Sequence, residues 1–109
     1  MKNKNNKNKK NNEKVNYQID DYFATRLKQR FSEVNLEKID EIISFSKKYS
    51  IKQLDSCPFQ VVKNKLRNPE YPNSIYLVNP KFNLVMVAVG NVLKNALYLD
   101  DRDGYSFSY

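Results

Sequence analysis

SIYLVNPKFNLVMVAVGNVLKNALYLD, residues 74–100, holds three runs of strand-forming residues separated by turn formers. Residues 74–79 read as one strand, Pro80-Lys81 as a turn and residues 82–89 as a second strand. Gly90-Asn91 belongs to the next turn region, and residues 95–100 form a third strand, with Lys81 and Lys94 at opposite strand turns. Leu84, Val85, Met86, Val87, Ala88 and Val89 follow one another without polar alternation, the pattern of a central strand covered on both faces. Beyond a polar turn at 101–104, Tyr105, Phe107 and Tyr109 alternate with serines and predict a last edge strand with one aromatic face.

Upstream, Val15-Asn16-Tyr17-Gln18-Ile19 alternates apolar and polar residues and predicts a short strand. Asp20 or Asp21 then offers an N-cap. Phe23, Leu27 and Phe31, with Ala24, make one apolar helical stripe. After a break at 32–35, Asn35 caps a second helix whose buried face is Leu36, Ile39, Ile42, Ile43 and Phe45. Glu37 and Asp40 near its start, and Lys47 and Lys48 near its end, suit the helix dipole. Residues 50–67 read two ways. Ser50 can cap a turn through Ile51 and Leu54 that Pro58 interrupts, and Phe59, Val61, Val62 and Leu66 fit a short helix or an extended piece. Pro69 and Pro72 mark a loop. The expected class is α+β, in the order β-α-α-(α)-β-β-β-β, with two to three helices packed on one antiparallel sheet.

A chain of 109 residues accommodates one domain, expected over residues 15–109. Residues 1–14 form a Lys/Asn arm in which six lysines face Glu13, a balance of +5 that leaves +2 for the rest. With Met1 as its one apolar side chain, the arm has nothing to bury and is expected to be disordered. It reads either as an attractor of phosphate backbones or as a solubilising tail. No run approaches the roughly 18 apolar residues of a membrane span. Cys57 is the single cysteine and has no internal disulfide partner, so the chain reads as cytoplasmic. Histidine is absent, which excludes a His-containing triad and a Cys/His zinc site. Two glycines, Gly90 and Gly104, build no phosphate cradle, so no cofactor is expected.

Arg26 and Arg30 lie i, i+4 on the first helix with Tyr22 one turn before them, on a face beside the apolar stripe. Two guanidiniums so placed can grip a phosphate, or form a solvated face paired with Glu33. Lys63, Lys65 and Arg67 make a second basic cluster. Asp100-Asp101-Arg102-Asp103-Gly104 gathers carboxylates at a spacing unlike a calcium loop and reads as a solvated turn, so no metal is expected, while Arg102 could join a nucleic-acid groove. Tyr105, Phe107 and Tyr109 could stack on bases or pack on a neighbouring element.

A leading strand, two helices and a closing meander resemble the barnase–EndoU–colicin–RelE group of small ribonucleases, many of them toxin modules or phage-encoded. Tyr22-Phe23-Ala24-Thr25-Arg26-Leu27-Lys28-Gln29-Arg30-Phe31 resembles a helix that often reads His-Phe-x-x-Arg-x-x-x-Arg in that group, with Tyr22 standing where His is usual. Ala96-Leu97-Tyr98-Leu99-Asp100-Asp101-Arg102-Asp103 looks like its final core strand and exit. The resemblance implies a metal-free, RelE-like ribonuclease with Arg26, Arg30, Lys81 and Tyr105 as catalytic candidates. Lys28, Lys63, Lys65, Arg67 and Arg102 are the candidates for nucleic-acid binding. The expected partners are an RNA or DNA phosphate backbone and a protein, antitoxin or host factor, with no membrane. The alternative is a non-catalytic interaction protein that binds and modulates a host protein.

Overall fold

The computed structural model describes residues 17–100. The arm at 1–14, the start of the leading strand at Val15-Asn16, and residues 101–109 with Arg102, Tyr105, Phe107 and Tyr109 lie outside the described residues. The chain runs β1 (Gln18–Ile19), α1 (Asp21–Arg30), a 3-10 turn (Leu36–Lys38), α2 (Ile39–Ser44) and β2 (Lys47–Tyr49). A second 3-10 segment (Ile51–Ser56) leads to α3 (Gln60–Arg67), β3 (Ile75–Asn79), the turn Pro80–Phe82, β4 (Leu84–Val89) and β5 (Val92–Tyr98). This is an α+β fold on one five-stranded sheet, ordered β1-β5-β4-β3-β2.

The meander β3-β4-β5 is antiparallel, and β2 pairs antiparallel with β3. The short β1 runs parallel to β5, matching Gln18 with Val92 and Ile19 with Leu93. The sheet is therefore mixed rather than purely antiparallel.

Alternation along β4 divides the core into two halves. On one face α1 and α2 set Phe23, Leu27, Phe31, Ile39 and Ile42 against Leu84, Met86, Ala88, Leu93 and Ala96. On the other, α3 sets Val62 and Leu66, with Cys57, against Tyr49, Tyr76, Val78, Val85, Val87 and Leu97. Burying each such large side chain contributes about 1.5–3 kcal/mol. The unalternating run in β4 is thus a strand between two apolar layers, as its sequence predicts, and the helices flank the sheet rather than sharing one side.

Three expectations are corrected at the edges. The second helix ends at Ser44, because Ser44 Oγ donates to the Glu41 carbonyl and Ser46 Oγ to that of Ile42. Such hydroxyls compete with further helical bonding. Lys47 and Lys48 consequently belong to β2 and not to a helix end, and Phe45 is 77% exposed rather than buried. Leu36 is also exposed. The third strand begins at Val92, because Gly90-Asn91 closes a two-residue hairpin with Gly90 at φ +61°. Lys94 therefore lies inside β5, where Asn95 pairs with Val87 and Leu93 with Ala88, leaving Lys94 as the extra residue of a bulge. The open reading of 50–67 resolves into the 3-10 segment, whose Ser50 N–H bonds Gln53 Oε1 at 2.7 Å, and the α-helix α3. No helix among the described residues is long and apolar enough to cross a membrane.

Candidate nucleic-acid interface

α1 starts beside β5. Asp20 N–H donates to the Leu93 carbonyl at 3.1 Å, and Asp20 Oδ1 accepts from Tyr22 N–H at 3.0 Å. The other oxygen meets Lys94 Nζ at 3.3 Å. The backbone N–H bond, then Lys94, hold the Asp20 carboxyl below the usual range. The bulge that sets Lys94 apart thereby pins the helix start.

From there Tyr22, Arg26 and Arg30 run down one side of α1, as their spacing predicts. The Arg26 guanidinium lies 5.4 Å from the Tyr22 ring centre, and that of Arg30 lies 5.4 Å from Tyr98. Arg30 Nη1 donates to the Ala96 carbonyl at 3.4 Å, while Ala96 N–H donates to Asn95 Oδ1 at 2.8 Å. Side chains thus take both backbone groups of Ala96, on a strand that β1 covers only at Val92 and Leu93. Tyr98 Oη returns a bond to the Arg30 carbonyl at 3.2 Å, and its ring meets Phe31 at 4.9 Å. Arg30 is therefore built into the α1–β5 junction. Arg26 differs, since its buried Nε finds no hydrogen-bond partner among the described residues.

Lys28, two residues along from Arg26, lies on roughly the opposite side of the helix, against a shallow groove with Ala24, Val34 and Leu36. Lys81 sits in the β3–β4 turn, its Nζ 5.7 Å from the Phe82 ring centre. It borders a groove of about 520 Å³ shared with Glu33, Lys38, Glu41 and Phe45. The catalytic candidates among the described residues thus split, with Arg26 and Arg30 on one side of α1 and Lys81 in a groove walled partly by carboxylates.

Lys63, Lys65 and Arg67 all lie on α3, in the layer across the sheet from α1. Val61, Val62 and Leu66 face the core, so Lys63 and Arg67, one turn apart, lie on the outer side, while Lys65 is half-buried toward the inner side of the helix. Arg67 Nη1 reaches Asn64 Oδ1 at 3.4 Å, which Gln60 also bonds at 3.0 Å. The Lys65 carbonyl accepts from Tyr76 Oη at 3.4 Å, and burial pushes the Tyr76 phenol up, so this hydroxyl stays a neutral buttress. Lys47 opposes Val78 in register and so projects to this same sheet face, its Nζ 5.7 Å from the Tyr49 ring centre. Lys52 is exposed on the neighbouring 3-10 segment. Across the sheet, Glu33, Glu37, Asp40 and Glu41 are exposed along the α2 side.

The basic residues therefore do not converge on one surface. The α3 side carries Lys47, Lys52, Lys63, Lys65 and Arg67 with Asp55 and Glu70 as the carboxylates in its segments, while the other side mixes its cations with more carboxylates. Sequence reasoning missed the contribution of Lys47 and Lys52. The signal was Tyr49, which follows two lysines and precedes the helix-capping Ser50, and so marks an extended residue facing a core. No group of three or more metal-ligating side chains gathers among the described residues.

A scan against protein-family models, a search of curated proteins and a search of solved structures each gave no match.

Proposed function

We propose that this chain binds a nucleic-acid phosphate backbone through the α3 layer, with the basic arm at 1–14 adding sequence-independent attraction. The excess of cations over carboxylates on the α3 side carries this reading. Lys63 and Arg67 lie one turn apart on α3, with Lys65 half-buried on the same helix and Lys47 on the same sheet face, whereas on the other layer Lys28, Lys38, Lys48 and Lys81 are interspersed with Glu33, Glu37, Asp40 and Glu41. A polyanion approaching the α3 side meets cations first, and the field of that side favours encounter in one orientation. Cys57, buried as a thiol beneath α3, suits a reducing cytoplasm as the place of action. The contacts available are phosphate contacts, which position a nucleic acid without reading its bases.

The test is fluorescence anisotropy of a labelled single-stranded RNA with the full-length protein. Replacing Lys63, Lys65 and Arg67 together by alanine should weaken binding by at least about tenfold. Affinity unchanged in that variant would rule out the α3 face.

A second reading, metal-free RelE-like cleavage, is favoured by one observation: the Arg26 guanidinium lies over the Tyr22 ring, 5.4 Å from its centre, whereas Arg30 is held on the Ala96 carbonyl. The Arg26 Nε is closed to solvent, so a scissile phosphate would meet the outer end of the guanidinium, which stacks on Tyr22 and could stabilise charge as the phosphorane forms. Lys81 lies in the separate groove beside Glu33 and Glu41, so of the two sequence candidates Tyr105, outside the described residues, would be left to move the proton. In this reading end-labelled RNA is cut in the presence of EDTA, and Arg26→Ala abolishes cutting while melting as the parent does. Intact RNA at high protein concentration would leave backbone binding without catalysis. Arg30→Ala is a poor probe of chemistry, because its loss would uncap the Ala96 carbonyl.

A further inference from the structure

Two of the most exposed large hydrophobic residues bracket an edge strand. Phe45, at the C-cap of α2, is 77% exposed, and Ile51, opening the 3-10 segment, is 58% exposed. Between them β2 pairs with β3 on one side, and among the described residues no strand pairs with its other side. An edge strand turns alternate backbone N–H and C=O groups outward, where they can template another strand. From Ile42 to Leu54 the chain carries Lys47, Lys48 and Lys52 and no carboxylate. Register puts Lys47 on the α3 face with Val78 and Lys48 on the α2 face with Leu77, so the edge is cationic on both faces.

We propose that β2 is a docking edge for an extended acidic segment of a partner protein, which adds as a strand beside Lys47–Tyr49 with apolar residues seated on Phe45 and Ile51. Charge selects this occupant. A second copy of this chain would set lysines against lysines, and like charges across a strand pair are destabilising. The same lysines that block self-pairing admit a strand with glutamates or aspartates opposite them, so repulsion and attraction together define the partner. A nucleic acid is the weaker fit, because it offers no main-chain ladder for the edge and no counterpart for Ile51. Strand addition draws affinity from backbone bonds and specificity from alternate side chains. A three-residue edge supplies few such bonds, which makes the two apolar anchors necessary.

The surface shares Lys47 with the α3 side but not Lys63, Lys65 or Arg67, so the Lys63→Ala/Lys65→Ala/Arg67→Ala variant should keep peptide binding, and either proposal can fail without the other. The probe is an acetylated eight-residue peptide of alternating Glu and Val, added to isotope-labelled full-length protein and followed by amide NMR shifts and by anisotropy of a fluorescent copy. The expected result is shifts centred on residues 45–52. Phe45→Ser/Ile51→Ser should weaken binding by about tenfold, and so should a central proline in the peptide or Lys in place of Glu. Lys48→Glu, a single change at an exposed position, should weaken the Glu/Val peptide and strengthen the Lys/Val one. Absence of binding at about 1 mM peptide would overturn the proposal. So would shifts confined to other elements, equal binding of the proline peptide, or shifts at 45–52 produced by RNA and not by the peptide.

Discussion

Asp20 joins three tasks in one residue: its side chain caps α1 and holds Lys94 in the β5 bulge, and its backbone N–H ties the passage from β1 into the helix to Leu93. Its folded pKa is lowered, so its ionised form contributes stability above the unfolded value, about 3.9, and that contribution is lost as pH falls through the folded value. Asn caps helices nearly as well as Asp, so Asp20→Asn isolates the charge. The variant should melt below the parent near neutral pH, and the gap should close in acid. A gap that stays constant from about pH 7 to about pH 2 would contradict this account of Asp20. Arg30 and Arg26 differ at the same scale. Their i, i+4 spacing was legible in the sequence, but the carbonyl that occupies Arg30 lies 66 residues away on β5. No local pattern could reveal that bond, and so sequence treats the two arginines as equivalents. Arg30→Ala should lower the melting temperature and Arg26→Ala should not.

Elements whose signal is local were legible, and those that depend on a partner were not. The stripe Phe23, Leu27, Phe31 and the unbroken run in β4 specify their own burial, and both emerge as expected. The β2 edge is different, because Lys47-Lys48-Tyr49 has no strong strand pattern of its own and becomes extended by pairing with β3. The closing of α2 by serine hydroxyls is likewise invisible to apolar periodicity. The β4–β5 hairpin supplies the test at this scale. Gly90 adopts φ +61° in open space, so Gly90→Ala meets no clash and its cost is that of the left-handed backbone. That cost is about 1 kcal/mol, a fall of about 4–8 °C in melting temperature for a domain of this size. Gly90→Asn should fall less, since Asn tolerates that region. Equal stability of the alanine variant and the parent would mean that the turn relaxes to another type.

For the whole molecule, the sheet acts as a partition. Net charge was readable from composition, but its distribution across a sheet needed the knowledge that α3 crosses to the face opposite α1 and α2. The sequence order allowed all the helices on one side, and the choice follows from packing: Tyr76, Val78, Val85 and Val87 would otherwise present an apolar face to water. Covering that face with α3 carries Lys63, Lys65 and Arg67 to a surface away from the α2 carboxylates. The cation excess on the α3 side is thus a by-product of burying both faces of β4, and it is the basis for the proposed polyanion contact.

The measurement that tests this most directly is the salt dependence of RNA binding, compared between the full-length parent and the Lys63→Ala/Lys65→Ala/Arg67→Ala variant. Each phosphate contact on a single strand contributes about 0.7 to the slope of log affinity against log salt. Two contacts made by the outward Lys63 and Arg67 of α3 predict a slope shallower by about 1.4 in the variant. An identical slope in the two proteins would assign the binding to the arm at 1–14 and contradict the α3 interface.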